Sequence, residues 1–327
     1  MEQASCRACV DACPRGAWVI DDAMLGIDTD RCDGCDLCVP ACPQGAITGR
    51  FAPAVTHTAQ GMLAFAACDR AGTDTGRDGR MPCIHAIGLA DLLRLRGKGV
   101  GFLLTASGDC DACPRGGAIR MARRLEDLDR LLSSRGLDPI AHRPLDAEQW
   151  TSALRAAGEQ AAARTLSRRS FFRSAIELPR ERAEALIDET LDVHRAPGEL
   201  LPPSSARDPL YPFVPQIDPF VCNGCDACAR ICPHEAIRLE SDAAEAAYRV
   251  DAVKCTGCGL CVDLCDQQAI QIRRCAAPSH ETITLRSHRC RACGVTFRVP
   301  QVQDGNSGLC RVCARTNHHR RLFQVLS

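Results

Sequence analysis

The stretch CNGCDACARICP (222–233) decides how this chain is read. Cys222, Cys225, Cys228 and Cys232 stand at the spacing C-x-x-C-x-x-C-x-x-x-C, with a proline after the last. The same run returns as CDGCDLCVPACP, with Cys32, Cys35, Cys38 and Cys42, and as CTGCGLCVDLCD, with Cys255, Cys258, Cys261 and Cys265. A shorter version, CRACVDACP, holds Cys6, Cys9 and Cys13. The end of each run repeats too, as CPRGAW, CPQGAI, CPHEAI and CDQQAI, and two runs are led in by Asp28-x-x-Arg31 and Asp251-x-x-Lys254. Such self-similarity marks duplicated supersecondary units. The whole chain has 327 residues, enough for two or three domains, and 24 of them are cysteine. Its 40 basic and 40 acidic residues cancel, so no global charge argues for nucleic acid or an anionic membrane. No apolar run approaches a membrane span, and the first residues lack the basic start and apolar stretch of a secretory signal. The expectation is a cytoplasmic protein whose cysteines at short fixed spacings are metal ligands rather than disulfides.

The repeated run resembles that of bacterial-type ferredoxins, which carry two [4Fe-4S] clusters, and the chain as a whole is similar to a polyferredoxin. In that family three closely spaced thiolates wrap one face of an iron–sulfur cube, and the fourth reaches the neighbouring cube. Small residues between the cysteines, here Gly34, Gly224 and Gly257, let the backbone approach the sulfides. The resemblance implies crossed ligand sets. In the C-terminal pair they are Cys222, Cys225, Cys228 with Cys265, and Cys255, Cys258, Cys261 with Cys232. In the N-terminal pair one set is Cys32, Cys35, Cys38 with Cys13. The other is Cys6, Cys9 and Cys42, because the position expected for a further cysteine is Gln3. Three readings stand for that set: a three-iron or open-iron cluster, a missing thiol upstream of the given start, or a single cluster in this half. Zinc or disulfides compete for all four runs, but zinc leaves the crossed fourth cysteine without a purpose.

Between the ferredoxin-like ends the texture changes. GMLAFAAC (61–68) and GVGFLLTA (99–106) read as strands, and residues 84–97 and 118–136 as helices with one apolar face. That alternation implies an α/β unit with parallel strands, and Cys68, Cys83, Cys110 and Cys113 fall at strand ends or in the loops after them. The segment resembles the small iron–sulfur subunit of methyl-viologen-reducing hydrogenase. The resemblance implies a [2Fe-2S] cluster on those four cysteines. A zinc site and unligated thiols are the alternatives.

Residues 146–194 are rich in Ala, Arg, Glu and Leu and read as a helical connector. Within it SRRSFFR (167–173) is similar to the core of a twin-arginine export signal, but no long apolar run follows, and a basic helix is the simpler reading. Residues 195–219 hold seven prolines and read as an extended linker. The end of the chain carries Cys290 and Cys293, then Cys310 and Cys313, as two C-x-x-C knuckles around a hairpin. It resembles a zinc ribbon; a one-iron site on the same four thiolates is the alternative. Cys275 stands outside every run, and its role is left open.

The expected fold class is therefore α+β and multi-domain: two ferredoxin-like 2[4Fe-4S] modules flanking a small α/β domain, with a C-terminal zinc-ribbon hairpin. The expected boundaries are 1–50, 51–145, 146–194, 195–219, 220–275 and 285–327. The expected function is single-electron transfer between clusters and a partner oxidoreductase. No Gly-rich nucleotide fingerprint is present, and aromatics for stacking nucleic-acid bases are scarce in the basic tail, so nucleic acid is not an expected partner. Two other functions remain open. One is an oxidoreductase subunit acting at the incomplete first cluster. The other is a redox-sensing regulator whose ribbon reads nucleic acid. An electron carrier or electron-transfer subunit is preferred to a stand-alone enzyme.

Overall fold

A computed structural model describes residues 6–20, 24–59, 61–73, 78–116, 118–165, 195–241, 246–278, 282–303 and 308–316. The chain is a mixture of helix and several small sheets, and it divides into one unit at Arg7–Pro209 and another from Leu210 onward, with which Cys6 is grouped. In the first unit a short helix α1 (Ala8–Asp11) precedes an antiparallel hairpin of β1 (Trp18–Ile20) and β2 (Leu25–Ile27). Next comes a five-stranded sheet. Strand β3 (Ala54–Thr58) runs antiparallel to β4 (Gly61–Cys68), and β5 (Arg80–Met81) pairs with the end of β4. Helix α2 (Leu89–Gly97) leads to β6 (Val100–Ala106), parallel to β4, and α3 (Ala118–Ser133) leads to β7 (Ala141–Pro144), parallel to β6. Parallel neighbours need such crossovers.

The apolar run in β4 reflects a strand covered on both faces. Ala64 and Ala66 pack with Leu92, Leu93, Leu128 and Leu132 of α2 and α3. Phe65 and Ala67 face the other way, onto Trp150 and Ala157 of α4 (Ala147–Thr165). The Trp150 indole meets Phe65 edge-on at 6.1 Å, and its Nε1 donates to the Leu104 carbonyl at 3.2 Å. The first turns of the expected connector thus complete the α/β layer; residues 166–194, including SRRSFFR, lie outside the described residues. The first part of the proline-rich stretch belongs to this unit as well, with Leu200 and Leu201 against the α2–α3 core.

The second part of that stretch is strand β8 (Tyr211–Ile217) of the other unit. It pairs antiparallel with β11 (Ile270–Ala276) in a two-stranded sheet, where Pro212 and Pro215 are tolerated because neither strand is central. Strands β9 (Ile237–Ser241), β10 (Ala246–Val250), β12 (Ile283–Arg289) and β13 (Thr296–Pro300) form an antiparallel sheet in the order β13-β12-β10-β9. The tail hairpin β12–β13 therefore extends the sheet of the second cysteine module rather than standing apart. No described helix is long and apolar enough to cross a membrane.

Candidate metal centres

The repeated phrase after each run has a structural cause. In three runs the amide N–H four residues past the last cysteine donates back to its sulfur: Ala17 to Cys13 at 3.4 Å, Ala236 to Cys232 at 3.2 Å and Ala269 to Cys265 at 3.3 Å. The residue before each donor is left-handed, as Gly16, Glu235 and Gln268, and Gly45 repeats this after Cys42. Inside the runs, Gly34, Gly224 and Gly257 are left-handed, and so are Asp36, Asp226 and Gly259 two residues later. The Gly224 amide also donates to Cys222 Sγ at 3.5 Å, and hydrogen bonds of this kind to a ligand sulfur tune a metal centre.

In the second unit Cys232, Cys255, Cys258 and Cys261 line one pocket. Thr256 in that pocket is buried, and its hydroxyl has no protein partner, which suits a site that offers sulfide as acceptor. Cys222 senses the charges of Cys225 and Cys265, and Cys228 those of Cys222 and Cys225. Burial pushes the Cys228 and Cys261 thiols up to about 12, with the neighbouring cysteines adding to it. Without metal these thiols are protonated at neutral pH, and loading must release their protons. A buried Tyr248 hydroxyl donates to Asp226 Oδ1 at 2.7 Å and accepts from the Asp226 amide at 3.2 Å, which fixes the turn between Cys225 and Cys228. Burial, then Asp226, raise the Tyr248 hydroxyl above the ordinary phenol range.

In the first unit Cys38 senses Cys13, and Cys35 is buried with its thiol pushed up to about 12. Cys9 is half-buried; Cys6, which is grouped with the other unit, is exposed.

The α/β sheet does gather its four cysteines. Cys68 ends β4, Cys83 follows β5, and Cys110 and Cys113 lie in the loop after β6; all four line one pocket at the carboxyl ends of these strands. Close backbone approach holds the loops together, since a Cβ on Gly108 would come 2.5 Å from the Arg70 carbonyl oxygen. The Cys113-Pro114-Arg115-Gly116 turn reproduces Cys13-Pro14-Arg15-Gly16: each glycine is left-handed and donates its N–H to the cysteine carbonyl. Burial pushes Cys83 up to about 11. The sequence did not single out the other polar groups here. Buried His85 brings Nε2 within 3.5 Å of Cys110 Sγ, and Arg115 reaches across from the loop after β6. Histidine among many cysteines and arginine in a Gly-rich loop give no periodic or spacing signal.

The tail cysteines Cys290, Cys293, Cys310 and Cys313 meet most tightly. All four sulfurs lie within 4.8 Å of one another, and Cys293 and Cys310 are 3.7 Å apart. Four thiolates about 2.3 Å from one tetrahedral ion stand about 3.8 Å from each other. The amide of Cys310, then those of Cys293 and Ala292, hold the Cys290 thiol down at about 5. The hairpin also grips the loop that carries Cys222. Gln303 Nε2 donates to the carbonyls of Pro219 and Cys222, each at 2.7 Å, and the Arg298 guanidinium lies 3.5 Å from Asp226.

Comparison with protein families finds matches over the four cysteine runs. The profile of a 4Fe-4S dicluster domain matches residues 221–269, and two 4Fe-4S binding-domain profiles match residues 25–48 and 4–16. Together they span every cysteine of the four runs. Comparison with curated proteins gave no match. The chain thus carries repeated ferredoxin-type 4Fe-4S segments, which support an iron–sulfur protein with an electron-transfer role.

Proposed function

We propose that the chain is a multi-cluster electron carrier that passes single electrons to a partner oxidoreductase in a reducing compartment such as the cytoplasm. Three complete [4Fe-4S] sites would use the crossed sets Cys222, Cys225, Cys228, Cys265; Cys255, Cys258, Cys261, Cys232; and Cys32, Cys35, Cys38, Cys13. Cys6, Cys9 and Cys42 would form the incomplete fourth. The α/β pocket would hold a [2Fe-2S] cluster on Cys68, Cys83, Cys110 and Cys113, and the tail would hold zinc. The observation that carries the reading is the convergence of four further thiols in one pocket of a chain that also holds the ferredoxin-type runs. Bound clusters supply reversible one-electron storage. The protein supplies buried thiol ligands, amides aimed at sulfur, and loops that keep water away.

Anaerobically loaded protein should contain about 12–18 irons per chain, with sulfide near the same number, and about one zinc. Cys68→Ser combined with Cys83→Ser should remove a [2Fe-2S] Mössbauer component and leave the [4Fe-4S] components in place. Iron well below the requirement of three complete cubes, in protein never exposed to air, would overturn the carrier reading. Zinc in the α/β pocket would overturn the [2Fe-2S] assignment alone.

A further inference from the structure

One group beside the α/β pocket does not belong to any ligand set. The Arg115 side chain is only 10% exposed, and it draws together three other segments. Its Nε donates to Asp33 Oδ2 at 2.9 Å, and its Nη1 donates to Asp69 Oδ1 and Oδ2 at 3.0 and 2.8 Å and to the Pro82 carbonyl at 2.5 Å. Each partner adjoins a cysteine: Asp33 follows Cys32, Asp69 follows Cys68, and Pro82 precedes Cys83. Arg115 itself stands two residues after Cys113. One cation therefore ties the ligand loop of the N-terminal [4Fe-4S] run to three ligand loops of the α/β pocket. Beside this fork Cys35, Leu37 and Cys83 pack as one buried apolar cluster, so a proposed ligand of each site belongs to the same packed group. A few residues on, a Cβ on Gly88 would come 2.9 Å from the Pro40 side chain, so the same two segments meet closely again.

The charges have a definite sum. Two carboxylates and one guanidinium leave one net negative charge between two sites that each change by one electron. Removing the guanidinium exposes two partly buried carboxylates to both sites and disfavours adding an electron to either. Removing one carboxylate does the opposite. A lysine keeps the charge but cannot fork to partners on three segments.

From this geometry we infer that Arg115 is a positioning residue that couples the N-terminal and α/β iron–sulfur sites. It seats the Cys35 loop on the Cys83 loop, so that an electron passes directly between the two sites, and its charge raises the reduction potential of both. The transfer is balanced within the chain. One site is oxidised by one electron and the other reduced by one, no bond forms or breaks, and Arg115 keeps its proton throughout. The inference rests on the proposed cluster in the α/β pocket.

Redox titration of the full, loaded chain followed by EPR tests it, in wild type, Arg115→Gln, Arg115→Lys and Asp33→Asn, with iron content measured for each. In wild type the two reduced sites should broaden each other's signals. Arg115→Gln should shift both potentials negative and lose the broadening. Arg115→Lys should hold the potentials near wild type but weaken the broadening. Asp33→Asn should shift both potentials positive, and general loosening of the fold does not produce that opposite sign. If Arg115→Gln fails to load, Asp33→Asn and Arg115→Lys decide the matter alone. Unshifted potentials in Asp33→Asn, or unbroadened wild-type signals with both sites reduced, overturn the coupling. A wild-type protein with no [2Fe-2S] signal overturns the coupling and the proposed α/β cluster together, whereas the first two outcomes leave that cluster standing.

Discussion

Alanine at Gly34, Gly224 and Gly257 separates the cost of a left-handed turn from the cost of what lies against it. The three glycines precede the second cysteine of their runs, with φ of +63°, +67° and +75°. An alanine forced into that region costs about 1–2 kcal/mol at each position. Any crowding by cluster sulfides is also common to the three, because they share one motif. Their protein neighbours differ. A Cβ at Gly34 meets nothing within 4 Å. At Gly257 it would stand 2.5 Å from the Phe213 ring, a side chain that turns aside at an overpacking cost of about 1–3 kcal/mol. At Gly224 it would stand 2.2 Å from the Arg298 carbonyl oxygen and 2.8 Å from its carbon. That obstacle is the backbone of β13, held in register to β12, and it cannot rotate away. The expected destabilisation is about 1–2 kcal/mol for Gly34→Ala, about 2–5 for Gly257→Ala and about 5 or more for Gly224→Ala, where the obstacle cannot relax. Anaerobic urea titrations, read by far-UV circular dichroism and by cluster absorbance, measure all three. If Gly34→Ala costs as much as Gly224→Ala, crowding by the cluster sets the cost and the strand over Gly224 is irrelevant.

Three further outcomes rest on particular contacts. Tyr248→Phe strips buried Asp226 of its 2.7 Å donor and should destabilise the second unit by about 1–3 kcal/mol in urea titrations, with iron content unchanged. Burial lowers the pKa of His142 from 6.5, so the folded protein resists protonating it while the unfolded chain does not. The stability this contributes is fully present above the unfolded value of about 6.5 and is lost as the pH falls from there through the lower folded value; His142→Gln should flatten the loss, and equal pH slopes in the two proteins would refute it. Cys310→Ser should release about one zinc per chain, and because Gln303 and Arg298 of the same tail hold the Cys222–Asp226 loop, the [4Fe-4S] absorbance should bleach faster in air than wild type. Unchanged bleaching would separate the tail from the clusters.

The ferredoxin-type cysteine runs were legible because their information is local. Spacing alone marks Cys222 to Cys232, and the left-handed glycines fall where the motif puts them. The strands at 61–68 and 100–106 were legible too, since a doubly covered strand is apolar along its whole length. Pairings across long stretches of chain left no such mark. Nothing near Arg115 announces Asp33, 82 residues away, and nothing in β12 announces that it continues β10. Trp150 is a single indole in an alanine-rich helix, so the helix was visible but the face it buries was not. The proline-rich stretch was divided by context. Its first part docks on apolar side chains supplied by another segment, and Pro212 and Pro215 are acceptable only because β8 has one neighbour.

The sulfur-directed amides of Ala17, Ala236 and Ala269 belong to the main chain, which every residue except proline possesses. The side chains spanning those turns, Arg15, His234 and Gln267 among them, can therefore drift without taking the donor away. Each such turn is a component that gene duplication copies whole, and its surface can then be recoloured for a new neighbour while its electrical setting is inherited.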